Sequence, residues 1–343
     1  MESISSMLKL KRACRAFAVF TVAGALAASA AAQTAPNVMK LSTATINDVQ
    51  HEWMKRFAAD VEKASKGRIK PEIYPASQLG AIPRQIEGTQ FGSIQAWIGP
   101  PEFLTGVDSR YELLSAPGLF KDSAHASRTL NDPEFKAAFL ALGANKGLKG
   151  VSVFLYGPLM FSTRNPVRTL ADFEGLKIRV LAGGMQMNQM RRLKGTPVPM
   201  SLGEVLPAVR QGALDGSMSA QPVFTAFRYW DAAKYIYESN HGIVSSITVV
   251  SKTWFDKLSP DLQKVVIDAA EKATKDNEQW TLDFLVKMRD VWLKNGGEIV
   301  VPTRADHAQL MNLMLPIGAE VSAAKPQEKA MYELLLKAAK RTE

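Results

Sequence analysis

The chain has 343 residues, of which 46% are hydrophobic and 22% charged, with a formal net charge of +9, one cysteine and four histidines. That length can bury a large core and fits two domains better than one, and so balanced a composition excludes a disordered or low-complexity polymer. Basic residues are dispersed without a run of five alike, which argues against a nucleic-acid partner, and the lone Cys14 excludes disulfides and thiolate metal centres.

Residues 1–32 read as a secretory signal peptide. Lys9, Lys11, Arg12 and Arg15 form a basic head, an apolar stretch begins at Ala16, and Ala30, Ala31 and Ala32 supply a small-residue cleavage site before Gln33. The stretch is mostly alanine, too weakly apolar for an anchor helix. Cys14 precedes the apolar run, so it is not a lipid-attachment site. Cleavage removes the thiol and lowers the net charge to about +6. An exported chain without thiols suits a bacterial periplasm, which is the expected location.

Strand-like and helix-like segments then alternate. Residues 38–44 read as a strand, Asn47 is placed to cap a helix through about Ser65, and 69–75 form the next strand, ended by Pro75. Leu79 to Phe91 has helical spacing and 93–99 is a third strand. This alternation predicts an α/β fold with largely parallel pairing, in which ligands bind outside the carboxyl ends of the strands. Around Gly150 the pattern restarts with GVSVFLYG and LMFSTR, and Thr169 with Asp172 fits a short capping box. A strand over 176–180, a helix over 184–193, a short TPVPM strand and a helix over 203–211 follow, and a strand over 242–251 leads back toward the first half. Ser259, Pro260 and Asp261 start a helix whose apolar spacing holds to about Lys294, where Asn295, Gly296 and Gly297 stop it. At about 1.5 Å per residue it would span roughly 50 Å, enough to brace two lobes.

Catalytic signatures are missing. There is no nucleotide-binding glycine loop, no His-Glu-x-x-His and no nucleophile elbow, since GSMSA at 216–220 lacks the final glycine. His51, His125, His241 and His307 are isolated, so neither a metal nor a cofactor is expected. A secreted hydrolase with a triad assembled from distant positions is the remaining enzyme reading.

Arg179 stands between Ile178 and Val180 in an apolar strand, with Gly183 and Gly184 just beyond. A planar guanidinium grips a carboxylate through two parallel hydrogen bonds and stays charged when desolvated. The glycines let backbone approach a ligand, and the helix after them offers N–H groups to an anion. The opposing reading pairs Arg179 with Asp172 or Glu204, tying strand to helix.

RTLADFEGLKIRV (168–180), GTPVPMSLGEVLPAVRQGALDG (195–216), SNHGIVSSITVVSKTWFDKLSPDLQKVVIDAA (239–270) and IKPEIYPASQLG (69–80) resemble a known family in order and spacing. It is the DctP-like family, the extracytoplasmic solute-binding proteins of tripartite ATP-independent periplasmic (TRAP) transporters. The resemblance covers nearly the whole chain after the leader. It implies a two-lobed α/β periplasmic-binding-protein fold with a central ligand cleft and a long helix spanning both lobes. Domain I would comprise 33–156 and 245–284, and domain II 157–244 and 285–343. The implied partners are a small-molecule carboxylate and the membrane permease subunits of a TRAP transporter, with the receptor itself a monomer. A ligand-sensing subunit of a signalling system is the alternative assignment.

In this family the arginine of the K-x-R pattern binds the ligand carboxylate, and the match puts that role on Arg179. Elsewhere the sequence departs from the pattern. A second arginine common in the family is Leu159 here, the asparagine of D-G-Q-E-N-P is Ser219, and an aromatic before the E-V motif is Leu202. The implied pocket has lost a charge and gained apolar surface. Trp97, Phe103, Met185 and Met218 are candidates for more of that wall, Asn47 and Gln50 follow the first strand, and Gln221, Phe224 and Tyr229 follow the Asp215-Gly216 turn. An apolar wall would strand the second polar end of a dicarboxylate or a sialic acid at about 1–3 kcal/mol per group. A monocarboxylate with an apolar body, a 2-oxo acid or an aromatic acid, is therefore favoured, and a dicarboxylate is the alternative.

Overall fold

The computed structural model describes residues 37–343; the signal-peptide reading and Cys14 lie outside the described residues. Strand β1 (Asn37–Thr43) leads into a helix, Val49–Ala64, that buries Trp53, Met54, Phe57 and Val61 at helical spacing. Its cap is Asp48, whose carboxylate accepts from His51 N at 3.0 Å. Asn47, expected in that role, is exposed one residue earlier with φ of 54°, a left-handed conformation that asparagine tolerates. Strands β2 (Ile69–Tyr74) and β3 (Ala96–Gly99) flank the helix Ile82–Phe91.

After the short helices Ser123–Leu130 and Pro133–Leu140 comes β4 (Leu148–Thr163), followed by β5 (Lys177–Val180), the helix Gly184–Arg192 and β6 (Thr196–Pro199). The helix Leu202–Arg210, β7 (Gly216–Ala220), the helix Gln221–Ala226, β8 (Tyr235–Tyr237) and β9 (Ile243–Ser251) complete the central part. The expected capping box is present, with Thr169 and Asp172 satisfying each other's backbone at the turn Leu170–Phe173.

The sheet order is β2-β1-β3-β9-β4-β7-β5-β6, with β8 pairing β4 and β10 (Glu298–Val300). Parallel pairing holds on the flanks, between β1 and β3 and between β5 and both β6 and β7. At the centre the expectation fails: β9 runs antiparallel to β3 and β4, and β4 antiparallel to β7 and β8. Local helix-strand alternation reports right-handed parallel crossovers within a flank. It carries no information about the two long strands, whose partners lie far away in sequence.

β4 also changes partner along its length. Leu148 to Pro158 pair with Ser251 to Ile243 of β9, with a register shift between Leu155 and Gly157; beyond it Phe161 to Thr163 pair with β8 and Leu159 to Thr163 with β7. Gly216 is required where β7 meets β4, since a Cβ there would lie 2.3 Å from the Ser162 carbonyl oxygen.

The long helix spans Pro260–Lys294, 35 residues, as the spacing predicts. Ser259 precedes it, but its hydroxyl donates to the Asp261 carboxylate and accepts from no first-turn backbone N–H, so the capping expected of its side chain is not made. One half packs on the helix Val49–Ala64 and β4, the other on the helix Gln221–Ala226 and β10. The C-terminal helix Pro326–Arg341 lies on 109–140, with Arg341 paired to Asp132 at 2.8 Å and the Ala339 carbonyl 2.8 Å from His125 Nε2. No helix among the described residues is long and apolar enough to cross a membrane.

Candidate functional site

Strand alternation decides which side chains can meet. Arg179 of β5 stands beside Ser217 of β7, so Ser219, two residues on, shares its face of the sheet. The same face receives the carboxyl ends of β1 and β3 through Thr45 and through Ile98, Gly99 and Pro100. A cavity forms there, lined by these residues together with Ala44, Gln50, Ile82, Trp97, Phe103, Tyr156, Arg179, Leu181, Leu202, Ser219, Val223 and Val244. It lies outside the carboxyl ends of parallel strands, where α/β folds place ligands. It is tight, with about 20 Å³ open to the centre of a water molecule.

Arg179 is the charged residue among the described ones that line this cavity. It is 1% exposed, and its Nε donates to the Met200 carbonyl at 3.0 Å. No carboxylate among the described residues forms an ion pair with it. Asp172 accepts instead from the Arg168 and Thr169 amides, and Glu204 is exposed. The guanidinium lies over the Phe103 ring, 5.9 Å from its centroid. Burial pulls Arg179 down to about 10, with Tyr229 and Glu102 acting in the opposite sense, so it stays cationic at neutral pH. Glu102 is fully buried and is bonded by the Ser115 hydroxyl.

Of the residues singled out from sequence, Arg179, Ser219, Leu202 and Trp97 line the cavity, as do Phe103 and Gln50. Leu159, Met218, Gly183 and Asn47 do not, for physical reasons that differ. Leu159 pairs with Ala220 and Phe161 with Met218, which puts both candidates on the sheet face opposite Ser219 and Arg179. A residue adjacent to Ser219 in a strand cannot share its side. Gly183 lies against the protein's own carboxylate: a Cβ there would come 3.0 Å from Glu112 Oε2, and that oxygen accepts from Met185 N at 2.7 Å. The N-terminus expected to receive a ligand anion is thus occupied by Glu112. Asn47 is exposed and its backbone amide donates to His51 Nδ1. Met185 is buried elsewhere, and the helix after the Asp215-Gly216 turn contributes Val223, not Gln221, Phe224 or Tyr229.

Sequence reasoning missed Ala44, Thr45, Ile82, Ile98 to Pro100, Tyr156, Leu181, Val223 and Val244. Ala44, Thr45, Ile98 to Pro100 and Leu181 lie at or within two residues of the ends of β1, β3 and β5, so the rule about strand ends was the available signal. Tyr156 had none, because it enters from the middle of β4, where its hydroxyl donates to Asp48 at 2.6 Å.

A cavity whose described lining carries one cation without an ion-pair partner lies at the carboxyl ends of strands of a mixed sheet, where small ligands bind. Residues 42–325 match the family described as bacterial extracellular solute-binding protein, family 7, and the chain belongs to that family. It is 27% identical over 288 residues to the 2,3-diketo-L-gulonate-binding periplasmic protein YiaO of Escherichia coli strain K12, covering 83% of this chain and 86% of that one. It is 26% identical to the C4-dicarboxylate-binding periplasmic protein DctP of Rhodobacter capsulatus, with 87% and 93% covered. A TRAP periplasmic solute-binding protein from Desulfovibrio salexigens, solved with bound orotic acid, superposes with a TM-score of 0.84 at 22% identity over 89% of this chain and 99% of that one. Another from Xanthobacter autotrophicus Py2, solved with β-D-galacturonate, gives 0.81 at 25% identity over 87% and 99%. The fold is the two-lobed one of these periplasmic proteins. The chain is a periplasmic transport receptor and not an enzyme, which sets aside the hydrolase reading.

Proposed function

We propose that this receptor binds an organic monocarboxylate with an apolar body, a 2-oxo acid or an aromatic acid, and delivers it as a monomer to the membrane permease of a TRAP transporter. The observation that carries the reading is Arg179, buried, held at Nε alone, and facing a cavity with no second charged side chain among its described lining. A cation desolvated without a counter-charge is costly, and a guest carboxylate completes it. The relatives named for 2,3-diketogulonate, C4-dicarboxylates and galacturonate all take organic acids, which supports the anion class. Against a dicarboxylate stands the apolar remainder of the lining, Ile82, Ile98, Leu181, Leu202, Val223 and Val244, which would leave a second carboxylate unpaired.

We also infer that the lobes follow the expected division, 33–156 with 245–284 and 157–244 with 285–343, except that the helix Pro326–Arg341, expected in the second, packs on 109–140 of the first. The passage of β4 from β9 to β7 and β8 after Pro158, and the contacts of that helix, support the division. The tightness of the cavity supports entry by parting of the lobes, with bound ligand favouring the shut form by its differential affinity.

Calorimetry with 4-methyl-2-oxopentanoate, succinate and galacturonate tests the reading. The oxo acid binds tightest, and Arg179→Lys weakens it by roughly a hundred- to several-thousand-fold, the equivalent of about 3–5 kcal/mol for one partner of a buried pair. Unchanged affinity in Arg179→Lys, or tighter binding of succinate, contradicts it.

A further inference from the structure

We propose that Trp97 and Gly99 select an acid carrying a further uncharged hydrogen-bond acceptor, which the Trp97 indole N–H reads. The inference rests on the carboxylate reading above and adds a second contact to it. Trp97 is fully buried on β3 and lines the cavity, yet its Nε1 has no hydrogen-bond partner among the described residues. The other fully buried indoles, Trp53 and Trp292, donate to Thr274 Oγ1 at 3.0 Å and to the Glu298 carbonyl at 3.2 Å, and the half-buried Trp254, whose Nε1 also has no partner among the described residues, lies away from the cavity. An N–H left unpaired at the wall of a binding cavity is a donor available to a ligand.

Gly99 explains how the indole comes to be there. Residues 97 and 99 share a face of β3 by the two-residue period. A Cβ on residue 99 would fall 2.3 Å from Trp97 Cζ2 and 2.7 Å from Cη2, so the ring occupies the space that any side chain at 99 would need. The wall at the end of β3 is therefore a flat apolar ring with a single donor, and it carries neither a charge nor an acceptor of its own. Three of the other polar lining residues are engaged within the protein: Gln50 Oε1 accepts from Thr43 and Thr45, its amide donates to Ser246, and Tyr156 donates to Asp48. A guest that supplies a carbonyl or ether oxygen completes the indole, and one that supplies only hydrocarbon leaves it unpaired.

The test compares 4-methyl-2-oxopentanoate with 4-methylpentanoate, which differ by the oxo oxygen. Wild-type protein is expected to prefer the oxo acid by about tenfold, one hydrogen bond of about 1.4 kcal/mol. In Trp97→Phe the ratio falls to about one. In 15N-labelled wild-type protein the oxo acid, and not its counterpart, moves the Trp97 indole N–H resonance downfield, a readout independent of the folding of any variant. Equal affinities in the wild type, a preference retained by Trp97→Phe, or an unmoved indole resonance overturns the proposal. Equal binding of both acids that is lost in Arg179→Lys removes Trp97 and leaves the carboxylate reading standing; binding of neither acid overturns both.

Discussion

Glu102, next in the chain to the cavity residue Phe103, is fully buried with Oε1 bonded by Ser115 and Oε2 without a partner. Burial pushes its carboxyl from the ordinary 4.5 up to about 7, the Ser115 bond opposing the rise, Glu112 adding to it and Arg179 opposing it. The folded chain therefore holds this proton more tightly than the unfolded chain. Its stabilising contribution is full below about pH 4.5 and is lost as pH rises through about 7, on the order of 3 kcal/mol in all. Glu102→Gln carries no such charge. In denaturant titrations its stability relative to wild type should increase between pH 5 and pH 8 by up to about that amount; a difference that does not move with pH contradicts the assignment. Of the residues that line the cavity, Arg179 was legible as a guanidinium in an apolar strand and Trp97 as a residue of the third strand, whereas Ser219 and Leu202 were marked only by the family resemblance. Gly183, expected beside the ligand, lies instead against Glu112, a carboxylate too remote in sequence to be foreseen. Leu159 and Met218 were misread against a signal that was present, the two-residue alternation that excludes them once Ser219 is chosen.

The long helix and β4 are the elements that join the two flanks of the sheet. Thr274 of the helix accepts from Trp53 Nε1 at 3.0 Å and lies 2.6 Å from Ser152 Oγ of β4, so one hydroxyl ties two helices and a strand together. Thr274→Val keeps the shape and leaves the buried indole donor unpaired. A loss of about 1–3 kcal/mol in urea unfolding is expected, and a variant as stable as wild type would show that the junction is held by packing alone. The helix was legible almost to the residue because its start, its spacing and its glycine stop are all local. β4 was not legible as a single strand. Pro158 reads as a break between GVSVFLYG and LMFSTR, but it sits beside the register shift at Gly157, where a strand tolerates proline. Likewise, the antiparallel pairing of β4 and β9 joins segments roughly 90 residues apart, beyond the reach of any local pattern.

For the molecule as a whole, the cavity has about 20 Å³ open to the centre of a water molecule, and the proposed function expects ligand exchange by parting of the proposed lobes. Small-angle scattering should give a smaller radius of gyration with saturating 4-methyl-2-oxopentanoate than without it; identical profiles would remove the closing motion. The more basic claim is that an arginine without an internal acid is completed by a guest acid. Native mass spectrometry of the protein released from the periplasm, wild type beside Arg179→Met, addresses it most directly. The account predicts that wild type carries one small adduct, identified on release as a carboxylic acid, and that Arg179→Met of unchanged fold carries none. The same adduct retained by the variant, or an adduct with no acidic group, would contradict it.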